Sequence, residues 1–290
     1  MRCDEDVTEG AVDGASDRIR RLSSNGVSVT LDPARAGWMR ESSDVAGQPA
    51  ELRRRFWSDG YLLLRGVLDR ADVLDIRADY FERLERHQVA HRGSGPAYGT
   101  VGHPAHELVR SPAFDAFTRD ARLHELAEML LAAPAELIPR RIVRHFAARG
   151  PQASRAHLDY DYLDQGSDQI VIAWITLGDC PVERGGIVYL EGSQGADPAQ
   201  LDALRPYTDR PHDARPVSND LDRTAAALGG RWLCADFEAG DVVLHTVRIV
   251  HASLDNVSDV PRLSTDVRFR RIGDAADQRW GADWSADDGY

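Results

Sequence analysis

The chain has 290 residues, 42% hydrophobic and 28% charged, the composition of a folded globular enzyme with enough chain to bury a core without disulfides. All 35 basic side chains are arginine, which excludes a lysine Schiff base to pyridoxal phosphate and the phosphate-binding lysine of a P-loop or protein kinase. A net charge of −12 argues against nucleic-acid and anionic-membrane partners, and three cysteines (Cys3, Cys180, Cys234) without C-x-x-C spacing indicate neither a disulfide framework nor a thiolate zinc site.

Residues 1–47 carry few large apolar side chains and predict a mostly irregular arm that folds over the body. They hold no apolar run of signal-peptide type, and no later stretch has membrane-spanning length, so a soluble cytoplasmic protein is expected. Residues 48–290 read as a single domain. ELRRRFWSDG has helical spacing and stops at Gly60, and YLLLRGV is an apolar stretch of strand length. LDRADVLDIRADYFERLERHQVAHR predicts a helix with Asp69 placed to cap its first turn, and DARLHELAEMLLA predicts another that ends before Pro134. Between them lies a Gly- and Pro-rich loop holding Tyr98 and His103.

The second half changes character. ELIPRRIVRHF, QIVIAWITLGD, GIVYLEGS, DVVLHTVRIVHAS and LSTDVRFRR are rich in β-branched and aromatic residues and read as strands separated by turns. An insertion at about 195–230 has weak apolar period and, like the N-terminal arm, is a candidate substrate lid. Helices first and antiparallel strands afterwards predict an α+β domain in which helices buttress a sandwich or barrel.

The chemistry concentrates in AHLDYDY and VVLHTVRIVHAS. In an extended segment, side chains i and i+2 point the same way, so His157 and Asp159 can reach one ion while Leu158 points elsewhere. Two imidazoles and one carboxylate occupy one face of an octahedral ferrous ion and leave the other open for a chelating cosubstrate and dioxygen. A bare H-x-D also occurs on solvated loops; the downstream constellation separates the two readings. His251 is followed by Ser253 and Asn256, and by Arg262 eleven residues on. A guanidinium forks onto a carboxylate and a serine hydroxyl adds a donor, as the distal carboxylate of a dicarboxylic keto acid requires. His245, six residues before His251, is the alternative third ligand; the H-x-S pattern and the spacing to Arg262 favour His251. Arg140, Arg141 and Arg144 read by default as solvent-facing, one of them pointing inward being the alternative, and Tyr160, Asp161, Tyr162, Tyr98 and His103 are candidate substrate contacts.

These motifs, in this order over roughly residues 51–280, resemble the phytanoyl-CoA dioxygenase family of iron(II)- and 2-oxoglutarate-dependent oxygenases. FWSDGYLLLRGVLDRADV is similar to the family's opening helix and strand, HLDYDY to its first metal motif, QIVIAWITLGDC with ERGGIVYLEGSQ to its central strand and Gly-Gly turn, and GDVVLHTVRIVHASLDN with Arg262 to its closing motif. ADQRW also resembles bacterial members. The resemblance implies a double-stranded β-helix, or jelly roll, with helices on one side. It implies His157, Asp159 and His251 as metal ligands, Arg262 and Ser253 on the 2-oxoglutarate carboxylate, and Trp174 lining the cosubstrate pocket. Implied cofactors are Fe(II), 2-oxoglutarate and O2, and the implied partner is a small-molecule substrate, in a tailoring step of bacterial secondary metabolism. Hydroxylation is the default outcome, with epimerisation, desaturation and ring closure open to the same oxidant. Asp159 keeps the carboxylate that halogenating relatives lose. A position upstream that often holds a lysine in the family cannot do so here.

Overall fold

Each strand of the second half carries two sets of side chains, one facing helices and the other facing a second sheet. The computed structural model describes residues 22–29, 34–87, 101–209 and 212–286. In chain order these form β1 (Ser23–Ser24), β2 (Val27–Ser28), β3 (Ala36–Trp38), α1 (Pro49–Asp59), β4 (Tyr61–Leu64) and α2 (Arg70–Arg86). Next come α3 (Pro104–Val109), α4 (Pro112–Thr118), α5 (Ala121–Leu131), β5 (Ala135–Leu137), β6 (Ile142–Phe146), β7 (Ile170–Thr176) and β8 (Ile187–Leu190). The chain closes with α6 (Pro198–Leu204), α7 (Leu221–Leu228), β9 (Trp232–Cys234), β10 (Val242–Thr246), β11 (His251–Ser253) and β12 (Arg262–Arg271).

A large sheet has the order β4-β10-β7-β12-β5, with β6 also paired to β12, and a small sheet has the order β11-β8-β9-β3. Pairing is antiparallel except between β3 and β9. Period-2 alternation assigns the faces. Leu62 and Leu64 of β4, Val242 and Leu244 of β10, and Leu263, Val267 and Phe269 of β12 join the core beneath α1, α2 and α5. Tyr61, Leu63, Val243 and Trp174 face the other way and pack with Ile187, Tyr189, Leu233 and Phe237 between the sheets. This two-sheet sandwich, with α1, α2 and α5 buttressing the outer face of the large sheet, is the expected α+β jelly roll.

Local chemistry explains the helix ends. Gly60 terminates α1 in the left-handed region (φ 80°), its N–H bonded to Phe56 O at 2.9 Å. Along α2, Val73, Ile76, Tyr80 and Leu84 bury one stripe at helical spacing. Asp69 does sit at the N-cap of α2 but makes no side-chain cap bond; its carboxylate accepts instead from Arg122 Nη2 at 3.2 Å, which corrects the capping expectation. The single strand expected from ELIPRRIVRHF is two, β5 and β6, both paired to β12.

Two further stretches differ from expectation. Within the supposed irregular arm, β3 completes the small sheet, and the β1–β2 turn holds Asp255 through Ser23 Oγ at 2.7 Å and the Asn25 and Gly26 amides at 2.8 Å. The 195–230 insertion contains α6 and α7, whose Leu201, Leu204, Leu221 and Ala225 cover the outer face of the small sheet, with Trp232 Nε1 donating to Leu221 O at 2.8 Å.

The Gly-Gly turn before β8 is a tight point. Gly185 has φ 80°, and a Cβ there would lie 2.5 Å from Leu254 O and 2.9 Å from the Asp255 carbonyl carbon. Gly192 has φ 75° but open space around it. Both substitutions to alanine incur the left-handed cost of about 1–2 kcal/mol. Gly185→Ala adds an overpacking cost of roughly 1–3 kcal/mol that Gly192→Ala lacks. Urea unfolding of the two variants measures the gap; equal losses would show that the 254–256 backbone yields freely.

Candidate metal and cosubstrate site

The two halves of the candidate metal set meet through the backbone. His157 N donates to His251 O at 2.9 Å and His251 N to His157 O at 3.0 Å, so the H-x-D segment docks on β11 as an isolated antiparallel bridge. Leu158 is extended (φ −112°, ψ 137°) before the chain tightens into a 3-10 turn over Asp159–Tyr162, which keeps His157 and Asp159 on the same side. The result is a buried group in which one ligand atom each from His157, Asp159 and His251 lies within 4.8 Å of the others.

Each imidazole is oriented by its own chain. His157 Nδ1 lies 2.7 Å from Arg155 O and His251 Nδ1 3.1 Å from Ile249 O. A carbonyl only accepts, so Nδ1 carries the proton in both rings and Nε2 presents a lone pair towards the shared centre. Burial lowers the His157 pKa, and burial followed by the neighbouring His157 lowers that of His251 well below the usual imidazole value, which keeps both neutral as ligation requires. Burial by itself would raise the Asp159 carboxyl. The His245 hydrogen bond, the Arg268 charge and the neighbouring His251 and His245 rings outweigh it and hold the group well below the ordinary carboxylate range. Two neutral imidazoles and one ionised carboxylate, with converging lone pairs, fit a ferrous ion.

His245 stands beside this set. The expectation that one strand carries both candidate histidines fails, because the chain turns after Thr246 and β10 and β11 lie in different sheets. His245 Nε2 nonetheless reaches Asp159 Oδ2 at 3.1 Å, while its Nδ1 is 2.8 Å from the Tyr189 hydroxyl. The carboxylate can only accept, so Nε2 carries a proton and donates to Asp159. His245 is thereby a donor to the Asp159 carboxylate.

The inner face of β12 is polar at every second position: Arg262, Ser264, Asp266 and Arg268 are all buried and, except for Ser264, all line the cavity at the metal set. Arg262 stacks 4.0 Å from the Phe146 ring, donates through Nε to Gly185 O at 3.1 Å and through Nη1 to Ser264 Oγ at 2.6 Å. Ser253 lines the same cavity, its Oγ accepting from Ser154 N at 2.7 Å, as does Trp174, whose ring lies 4.9 Å from Phe237. Of the three upstream arginines only Arg144 lines the cavity, with Nε 3.4 Å from Asp266; Arg141 bonds Asp115 and Asp283, and Arg140 lies over Trp280.

The candidate substrate residues separate. Tyr162 meets His157 edge-on at 5.5 Å, and Tyr160 lies under Arg248 at 4.1 Å. His103 caps α3, accepting from Ala105 N at 3.0 Å, and is not among the cavity-lining residues. Tyr98 lies outside the described residues. Sequence reasoning missed Asp266, Arg268 and Tyr189. The R-x-S-x-D-x-R alternation after Arg262 was the available signal for the first two.

The profile of the family described as phytanoyl-CoA dioxygenase (PhyH) matches residues 56–264. Among known proteins, the 1-deoxypentalenic acid 11-beta-hydroxylase of Streptomyces arenae is 25% identical over 237 residues, covering 76% of this chain and 81% of that protein. Among solved structures, the non-heme alpha-ketoglutarate-dependent epimerase SnoN of nogalamycin biosynthesis is 25% identical with a TM-score of 0.59, over 79% of this chain and 85% of its own. The carbocyclase SnoK from the same biosynthesis shares the fold, with 23% identity and a TM-score of 0.60 over 88% of this chain and 92% of its own. A family match running from α1 to the arginine strand, over a fold that brings His157, Asp159 and His251 together, has one meaning: the chain belongs to the phytanoyl-CoA dioxygenase family of iron- and 2-oxoglutarate-dependent oxygenases.

Proposed function

We propose that the protein is a non-haem Fe(II)- and 2-oxoglutarate-dependent oxygenase that hydroxylates a small molecule in natural-product biosynthesis, with His157, Asp159 and His251 as metal ligands. The observation that carries the reading is the buried group of two tautomer-locked imidazoles and one ionised carboxylate, with the buried Arg262 lining the same cavity. The hydroxylase relative, and SnoN's crystallisation with Fe3+, alpha ketoglutarate and nogalamycin RO, support it. No helix among the described residues is long and apolar enough to cross a membrane, in keeping with a cytoplasmic enzyme.

His157, Asp159 and His251 would hold ferrous iron, which with 2-oxoglutarate and O2 would supply the oxidising chemistry, the keto acid leaving as succinate and CO2. The protein's residues do the positioning. Arg262, oriented by Phe146, Gly185 and Ser264, receives the distal carboxylate with Ser253, and Trp174 forms the apolar wall. His245 and Tyr189 hold Asp159 in one orientation. The insertion borders the opposite side, where Arg215 covers Tyr162 at 4.8 Å and Arg205 bonds Asp161 at 2.9 Å; we assign it to substrate enclosure, with Tyr160 and Tyr162 as contacts. Epimerisation is the second reading, favoured by SnoN's equal identity to this chain, and the bound substrate's geometry decides between them.

Anaerobic addition of Fe(II) and 2-oxoglutarate is expected to give a weak visible charge-transfer band; its absence, with no 2-oxoglutarate-dependent thermal shift, would sink the oxygenase reading. Arg262→Lys keeps a cation but loses the fork, so the 2-oxoglutarate Kd read from that band should rise at least tenfold, about 1.4 kcal/mol. An unchanged Kd would move the anchor to Arg144. His251→Ala should abolish stoichiometric Co(II) binding. His245→Ala should keep one site with affinity lowered roughly 10–100-fold, as for other partners of metal ligands. The reverse order would make His245 the ligand.

A further inference from the structure

Of the cavity-lining arginines, Arg262 has a task in the proposed reaction and Arg144 pairs with Asp266, whereas Arg268 has neither. Its side chain is 2% exposed, its guanidinium lies 4.5 Å over the Trp280 ring, and its nearest carboxylate contact is Nη2 to Asp159 Oδ1 at 3.7 Å, beyond hydrogen-bond reach. Nε and Nη1 are buried with no hydrogen-bond partner. Arg262 and Arg141, also buried, each make at least two hydrogen bonds to carbonyl, hydroxyl or carboxylate oxygens, although Arg141 Nε makes none, whereas Arg268 makes no hydrogen bond within normal reach. A buried guanidinium with unmade bonds is costly and calls for an anion.

Charge balance gives the same answer. Arg144, Arg262 and Arg268 face Asp159 and Asp266 around the cavity, and imidazoles that ligate a metal are neutral, which leaves one positive charge in excess. A ferrous ion and a doubly charged keto acid cancel each other and leave that excess in place. Ligation also draws the charge of Asp159 to the metal, away from Arg268. The two ends of β12 serve different walls. Arg262 lies six residues from Arg268, on the wall of Phe146 and Trp174. Arg268 shares its wall with Trp280, whose Nε1 donates to Tyr162 O at 2.9 Å, on the side assigned to substrate.

Resting on the oxygenase reading, we propose that Arg268 is the recognition residue for a carboxylate on the substrate, so that the enzyme oxidises an organic monoacid. The guanidinium takes that carboxylate in a charge-assisted pair beside Asp159, which sets the distance between the anionic group and the carbon presented to the metal.

The test uses the full chain loaded anaerobically with Fe(II) and saturating 2-oxoglutarate, with benzoate as probe and benzamide as its neutral counterpart. The visible band in wild type and variants confirms the loaded site first; failure to form it in wild type indicts the oxygenase reading rather than Arg268. Benzoate, and not benzamide, is expected to raise the Tm of the loaded wild type. Arg268→Gln should weaken that benzoate binding at least tenfold while leaving the 2-oxoglutarate Kd within twofold, and Arg268→Lys should restore part of it. Failure of benzoate to bind wild type, equal binding of benzamide, or unchanged benzoate binding in Arg268→Gln overturns the proposal. So does a tenfold rise in the 2-oxoglutarate Kd of Arg268→Gln, which would assign the guanidinium to the keto acid's metal-proximal carboxylate.

Discussion

The reciprocal backbone hydrogen bonds between His157 and His251 are the contact on which the site depends. They join a loop that belongs to neither sheet to an edge strand of the small sheet, and they set two imidazole centroids 4.1 Å apart. The third group, Asp159, is held from the other side by His245 of the large sheet at 3.1 Å. The donor set therefore exists only when the two sheets close on each other. Its rigidity is inherited from the apolar packing of Tyr61, Leu63, Val243, Phe237 and Tyr189 between them.

Desolvation acts on each group of this site in the direction ligation needs or is reversed by a named partner. It keeps His157 and His251 neutral, and the protons of both rings are committed to carbonyl oxygens of their own chain. It opposes ionisation of Asp159, where a hydrogen bond and three nearby cationic or polar groups prevail. Because the interior is a poor solvent for charge, a polar stripe along β12 is sustainable only where each member has a counterpart in protein, metal or ligand. Ser264 serves Arg262 and Asp266 serves Arg144, whereas the counterpart of Arg268 comes from outside the chain.

Much of the fold is legible in the residues because its signals are local. The helical stripes of α1, α2 and α5 and the β-branched runs of β7, β8 and β12 are read from periodicity, and Gly60 ends α1 where a left-handed residue is needed. Legibility fails where a local rule competes with a distant partner. Asp69 has the right type and place for a cap, but Arg122, 53 residues on, takes its carboxylate. DVVLHTVRIVHAS reads as one strand, yet sheet closure places its halves in different sheets. The apolar content of residues 36–38 is too slight to announce β3, which forms because β9 offers a parallel edge.

By itself the sequence determined the kinds of atoms available: two imidazoles and a carboxylate at H-x-D and H-x-S spacings, no lysine, and hence an arginine for any cationic anchor. These follow from chain chemistry and from short-range geometry that holds in any extended segment. Only the tertiary structure decided that His245 meets Asp159, that Arg144 faces the cavity while Arg140 and Arg141 do not, and that Arg268 stands beside Asp159. Tautomer, burial and charge balance are properties of the groups brought together from residues far apart in the chain, and no single segment contains them.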